Sequence, residues 1–176
     1  FTGNKYNEGR ILGMKIIKQR DFKDCGICAL ASIIEYYGGY VSLERIRLDA
    51  KASNEGTTAL NLIEAAKKYG FDAVGIKVVD LENDAIKLPA IAHVNLKNGL
   101  QHYVVIYKIA KNKVVLMDPA KGKVVKTKEE FYKEWSNILL LFYPKNKIII
   151  LKKENSLIHL FGQIILKEKK LFVYII

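Results

Sequence analysis

Residues Gln19–Gly39 read QRDFKDCGICALASIIEYYGG, and the change of pattern inside this stretch decides the fold. Gln19 to Asp24 is polar and carries no periodicity. From Cys28 onward, Leu30, Ala31, Ile33, Ile34 and Tyr37 recur at helical spacing. Gly38-Gly39 ends that helix, because glycine takes the left-handed conformation at a helix C-terminus without a Cβ clash. Cys25 therefore stands at a loop-to-helix junction, where unpaired backbone N–H groups and the positive helix end favour a thiolate over a thiol. Cys28, one turn along the apolar face, reads as an inert small hydrophobe.

Upstream, Met14 to Ile17 is a short apolar run. Residues 1–13 have no periodicity and are read as a leader or appended remnant outside the fold. Downstream, Ser42 caps a second helix over Leu43 to Ala50, and Thr58 caps a third that carries Leu60, Leu62, Ile63, Ala66 and Tyr69. After Phe71 the pattern turns to strands: Ala73 to Val79, Ala90 to Leu96, His102 to Ile109 and Val114 to Met117, with Asn98-Gly99 and Asn112 at reversals. Thr127 and Glu130 form a capping box for a helix through Trp135, and Ile138 to Tyr143 returns as a strand. Helices followed by an antiparallel sheet make an α+β domain over residues 14–144, not βαβ alternation.

Beyond Pro144 the composition shifts. Residues 145–176 are expected to form a linker, a membrane-surface helix around Leu157 to Leu166 and, from Leu171, the truncated start of a first transmembrane helix. The alternative is a hydrophobic helix docked on the domain. Half the residues are hydrophobic and only three are proline, which excludes a disordered or collagen-like chain. Two cysteines are too few for a disulfide scaffold and suit a reducing, cytosolic setting. The 29 Lys and Arg against 18 Asp and Glu leave a net +11. That excess is mostly Lys, scattered as in Lys67-Lys68 and Lys169-Lys170, whereas nucleic-acid binders concentrate Arg and aromatics on one stretch. No nucleic acid is expected as a partner.

His102 follows the Asn98-Gly99 turn and heads an apolar strand, at a rim where an imidazole can face a cleft as a general base. Asp118, ending the next strand before Pro119, is placed to fix the imidazole tautomer and stabilise the imidazolium. The hairpin loop decides whether the two share a face: a two-residue loop at Lys111-Asn112 sets them apart, while a three-residue loop with Asn112 left-handed restores the same face. Alternatively, Asp118 to Gly122 is only a favourable turn. Gln19 lies six residues before Cys25 and can aim a side-chain amide at a developing oxyanion. His93 sits mid-strand and reads as structural, and His159 falls in the tail. Cys25-Gly26-Ile27-Cys28 also admits a thiol-disulfide oxidoreductase, but a thioredoxin-like motif follows a strand of a βαβ unit, which is absent here. Neither a metal nor a cofactor is implied.

Four motifs in order, Gln19-Arg20-Asp21 through Asp24-Cys25-Gly26, Leu88-Pro89-Ala90-Ile91-Ala92-His93, His102-Tyr103-Val104-Val105-Ile106 and Asp118-Pro119, resemble the C39 peptidase domain. This is the papain-like cysteine protease fused to bacteriocin-processing ABC exporters. The resemblance implies a papain-like fold, Cys25 as nucleophile, His102 as base, Asp118 as orienter and Gln19 as oxyanion donor. It also implies a substrate, the double-glycine-type leader of a ribosomally made precursor peptide. The partners would be the transmembrane and nucleotide-binding domains of the same exporter, absent from this chain, and the cytoplasmic face of the cell membrane. A catalytically silent leader-docking domain is the alternative; a basic membrane-surface or nucleic-acid module is a further one.

Overall fold

The computed structural model describes residues 13–82, 86–97 and 99–145. The expectations for residues 1–12, for Asn98 and for the segment from 146 onward lie outside the described residues. The chain runs through a 3-10 turn at Phe22–Asp24, then α1 (Cys25–Tyr36), α2 (Leu43–Asp49), α3 (Ala59–Lys68), β1 (Phe71–Lys77), β2 (Ala90–Asn95), β3 (Gln101–Ile109), β4 (Lys113–Asp118), β5 (Gly122–Thr127), α4 (Lys128–Glu134) and β6 (Trp135–Pro144). The expected α+β architecture holds.

Ten of the twelve α1 residues, Cys25 through Ile34, are buried. A helix apolar all round must be covered all round, and α1 lies between β3 on one side and α2 and α3 on the other. Its one buried hydroxyl, Ser32, is satisfied by Lys15 O at 2.5 Å and Tyr107 Oη at 2.7 Å. Gly38, at φ +82°, ends the helix as expected. Ser42 and Thr58 accept hydrogen bonds from Arg45 N and Asn61 N and cap α2 and α3.

All pairings in the sheet are antiparallel, in the order β1-β6-β2-β3-β4-β5. Because side chains alternate across a strand, the sheet separates two cores. Ile91, Tyr103, Val105, Met117 and Phe142 pack under α1 and α3. Ala92, Val104, Ile106, Leu116 and Leu139 face the other way, against Phe131 and Trp135. The central strand β3 is covered on both faces, so Tyr103 to Ile106 form an unbroken buried run rather than an alternating one.

Three local readings change. β5 is a strand that the sequence reading missed; only Lys123 to Lys126 separate Gly122 from the Thr127 cap, too few to show a period. Trp135 begins β6 rather than ending α4, since it pairs with Val94. The β3–β4 loop has two residues: Ala110 and Lys113 exchange N–H···O bonds across Lys111-Asn112, and Asn112 is not left-handed.

Candidate active site

The two-residue loop by itself would place His102 and Asp118 on opposite faces. A bulge prevents this. Ile106 pairs with Leu116 and Lys108 with Val115, so Tyr107 is an extra residue that reverses the alternation. His102, Val104 and Ile106 therefore share a face with Val114, Leu116 and Asp118. His102 Nε2 and Asp118 Oδ1 lie 2.8 Å apart, both side chains buried. Asp118 Oδ1 also accepts the Ala120 N–H at 2.9 Å, which makes the Asp118 to Gly122 turn part of the site's support.

The electrostatics follow from this pairing. Burial, the largest influence, pushes His102 down, but Asp118, through hydrogen bonding and charge, and the Cys25 side chain together outweigh it and lift the imidazole to about 9. Burial likewise pushes Asp118 up, and its bonds to His102 and Ala120 reverse this and hold it below the usual carboxylate range. With Nε2 committed to Asp118, Nδ1 is the ring nitrogen left for Cys25.

Cys25 opens α1 directly behind the 3-10 turn and is buried, with 8% of its surface accessible. The next residue explains how closely the helix start approaches β3. A Cβ on Gly26 would stand 2.9 Å from Thr57 Cγ2, 3.1 Å from Leu62 Cδ1 and 3.2 Å from Tyr103 Cδ2, so only glycine fits without a shift. Gln19 is tied to the same corner through its backbone N–H, which donates to Pro119 O at 2.9 Å. Its Oε1 is buried without a hydrogen-bond partner among the described residues.

The structure thus brings His102 and Asp118 together, couples His102 to Cys25 and pins Gln19 beside the Asp118-Pro119 corner. Cys28 is excluded from solvent, and burial, then the charges of Asp24 and Cys25, push its thiol up to about 12. His93 is a strand residue whose Nδ1 meets Ser136 Oγ at 2.7 Å. Arg47, which grips Asp24, escaped the sequence reading because an Arg in a short charged helix that also carries Arg45 looks like surface.

A cysteine at a helix start, an imidazole beside it and a buried carboxylate form the constellation that papain-like acyl transfer needs, and the Peptidase C39 sequence profile matches residues 13–147. The chain belongs to the Peptidase C39 family. As a C39 domain it is a cysteine peptidase with a papain-like fold. It is 38% identical over 163 residues to the lactococcin-G-processing and transport ATP-binding protein LagD of Lactococcus lactis subsp. lactis, covering 92% of this chain. It is 35% identical to the pediocin PA-1 transport/processing ATP-binding protein PedD of Pediococcus acidilactici, over 90% of this chain. The chain spans 23% and 22% of the length of those two relatives. Among solved structures it resembles the peptidase domain of Streptococcus ComA, a bi-functional ABC transporter involved in a quorum-sensing pathway. The TM-score is 0.70 at 34% identity, over 75% of this chain and 99% of that one. A double glycine motif protease from an AMS/PCAT transporter, in complex with its leader peptide, matches with TM-score 0.70 and 33% identity, over 79% of this chain and 96% of that one.

Proposed function

We propose that this C39 domain removes a double-glycine-type leader from a ribosomally made peptide, in a protein whose further domains export the product through the cell membrane. The observation that carries the reading is the 2.8 Å His102–Asp118 bond beside an imidazole raised to about 9 by its partners, Cys25 among them. An imidazole held protonated next to a thiol at a helix start stabilises the thiolate of an ion pair.

Cys25 is the nucleophile in this reading. Its thiolate attacks the carbonyl carbon after the small leader residues, and the π electrons of that carbonyl move to oxygen. The Gln19 side-chain amide and the Cys25 backbone N–H donate to the oxyanion. His102, oriented by Asp118, protonates the departing amine as the C–N bond breaks and leaves an acyl-enzyme. His102 then takes a proton from water as its oxygen attacks the thioester carbonyl, the C–S bond breaks, and the Cys25 thiolate leaves beside the imidazolium, restoring the ion pair. Among the described residues Gln19 Oε1 has no hydrogen-bond partner, so that oxygen does not hold the side chain in another orientation.

The relatives named for processing and transport, and the leader-bound double glycine motif protease, support the leader as substrate and an exporter as the setting. The peptidase would then work on the cytoplasmic side with transmembrane and nucleotide-binding domains as partners; no helix among the described residues is long and apolar enough to cross a membrane. A redox role is disfavoured, since a resolving thiol must ionise and be reached, whereas Cys28 is buried and pushed to about 12.

The test is mass spectrometry of a synthetic precursor whose leader ends in Gly-Gly, beside a copy with the leader scrambled. A single cut after the second glycine, confined to the ordered leader, is expected. Indiscriminate cutting, or none in either peptide, contradicts the assignment.

A further inference from the structure

Asp24 stands immediately before the nucleophile in the N-cap position of α1, yet its side chain makes no capping bond. Aspartate is a favoured N-cap because its carboxylate accepts from the first-turn N–H groups. Here the carboxylate turns away. Arg47 of α2 takes it with Nη2 at 2.9 Å from both Oδ1 and Oδ2 and Nε at 3.2 Å from Oδ1. Asp24 is almost fully buried, whereas the guanidinium is partly exposed on the rim.

A buried carboxylate one residue from a thiolate repels it, and one that turned back to cap α1 would bring that charge onto the helix start that carries Cys25. We infer that Arg47 is a positioning residue: by clamping Asp24 it neutralises the charge beside Cys25 and keeps that carboxylate off the start of α1. The inference rests on Cys25 acting as the nucleophile. The planar fork of arginine matches a carboxylate at two points, which a lysine cannot do. The other titratable groups around Cys25 are His102 and Tyr103 from β3 and Cys28 from α1, and all of them remain in the variants below.

The experiment follows the rate of Cys25 alkylation by iodoacetamide against pH, together with leader cleavage and thermal melting, in Arg47→Gln, Arg47→Lys, Asp24→Asn and the double variant. Arg47→Gln is expected to raise the pH of half-maximal alkylation by roughly one unit and to lower kcat roughly tenfold, with KM within about twofold, as for one charge left uncompensated nearby. Arg47→Lys recovers part of both. Asp24→Asn moves the midpoint down or leaves it in place, and the double variant returns to the wild-type profile. Should Arg47→Gln fail to fold, a midpoint raised in Asp24→Asn overturns the inference by itself. A lowered melting temperature with an unchanged alkylation profile, or a double variant no better than Arg47→Gln, also overturns it and leaves Arg47 a structural tie. Cleavage that persists in Cys25→Ala would instead sink the underlying assignment, whatever Arg47 does.

Discussion

His102 on β3 and Asp118 on β4 are joined Nε2 to Oδ1 at 2.8 Å because Tyr107 is inserted between them as a bulge. A two-residue hairpin without that extra residue would turn Asp118 to the opposite face. Tyr107 is held in turn by Ser32 of α1, at 2.7 Å from its hydroxyl, so the helix that begins with Cys25 also anchors the residue that aligns the pair.

The raised imidazole fixes a pH dependence. Below about 6.5 His102 is protonated folded or unfolded, and its pairing contributes its full stability; that contribution is lost as pH rises through about 9. The proton needed by the leaving amine is lost over the same range, so cleavage should decline on an alkaline limb near 9. Asp118→Asn removes a charge that raises the imidazole. The limb should move to lower pH by roughly one to two units, and kcat should fall roughly 10²-fold or more. Rate profiles and NMR titration of the imidazole check both.

Gln19→Ala should lower kcat roughly 10²- to 10³-fold with little change in KM, the loss expected for one oxyanion donor. The melting temperature should hold, since no structural hydrogen bond is made by its Oε1 and the Pro119 contact uses the backbone. Steady-state kinetics beside a melting curve separate the two effects.

Gly26→Ala adds a methyl that meets Thr57 at 2.9 Å. Alanine favours the helix by about 1 kcal/mol over glycine, which offsets part of the clash in stability but cannot restore the position of Cys25. Activity should therefore fall at least tenfold while urea denaturation shifts by no more than about 1 kcal/mol. Equal losses in both would mean that the close approach serves the core alone.

Asp49, the last residue of α2, binds Arg45 at 2.6 Å, Lys68 at 3.0 Å and the Tyr69 hydroxyl at 2.8 Å and so ties α2 to α3. Burial pushes its carboxyl up, but these three partners outweigh burial and draw it down to about 2. Its contribution is complete above about 4, the unfolded value, and lost as pH falls through about 2. Asp49→Asn should cost about 1 kcal/mol at pH 7, modest because Arg45 and Lys68 are exposed and screened. Denaturation curves of the two proteins should converge near pH 2.

Much of this was legible in the sequence because the decisive signals are local. The Gly38 stop, the Ser42 and Thr58 caps and the Thr127–Glu130 capping box each rest on a few adjacent residues, and all four are present. The sequence leaves open whether His102 and Asp118 share a face, which it allows only through a left-handed Asn112; the shared face is reached through Tyr107 instead, and nothing in an apolar strand marks which residue will bulge. The pairing of Asp24 with Arg47 was invisible for a related reason, since 23 residues separate the two and only the packing of α2 on α1 joins them. β5 is a short stretch whose strand character comes from its partner β4.

Whether Cys25 is the nucleophile is tested most directly by cleavage of the Gly-Gly leader peptide with wild-type protein, Cys25→Ala and Cys28→Ala under the same conditions. Cys25→Ala should give no product above the uncatalysed background, and Cys28→Ala, which removes only a buried sulfur, should cleave at a rate within a few-fold of wild type. Product from Cys25→Ala at the wild-type rate, or its loss in Cys28→Ala despite an unchanged melting temperature, would contradict the assignment of Cys25.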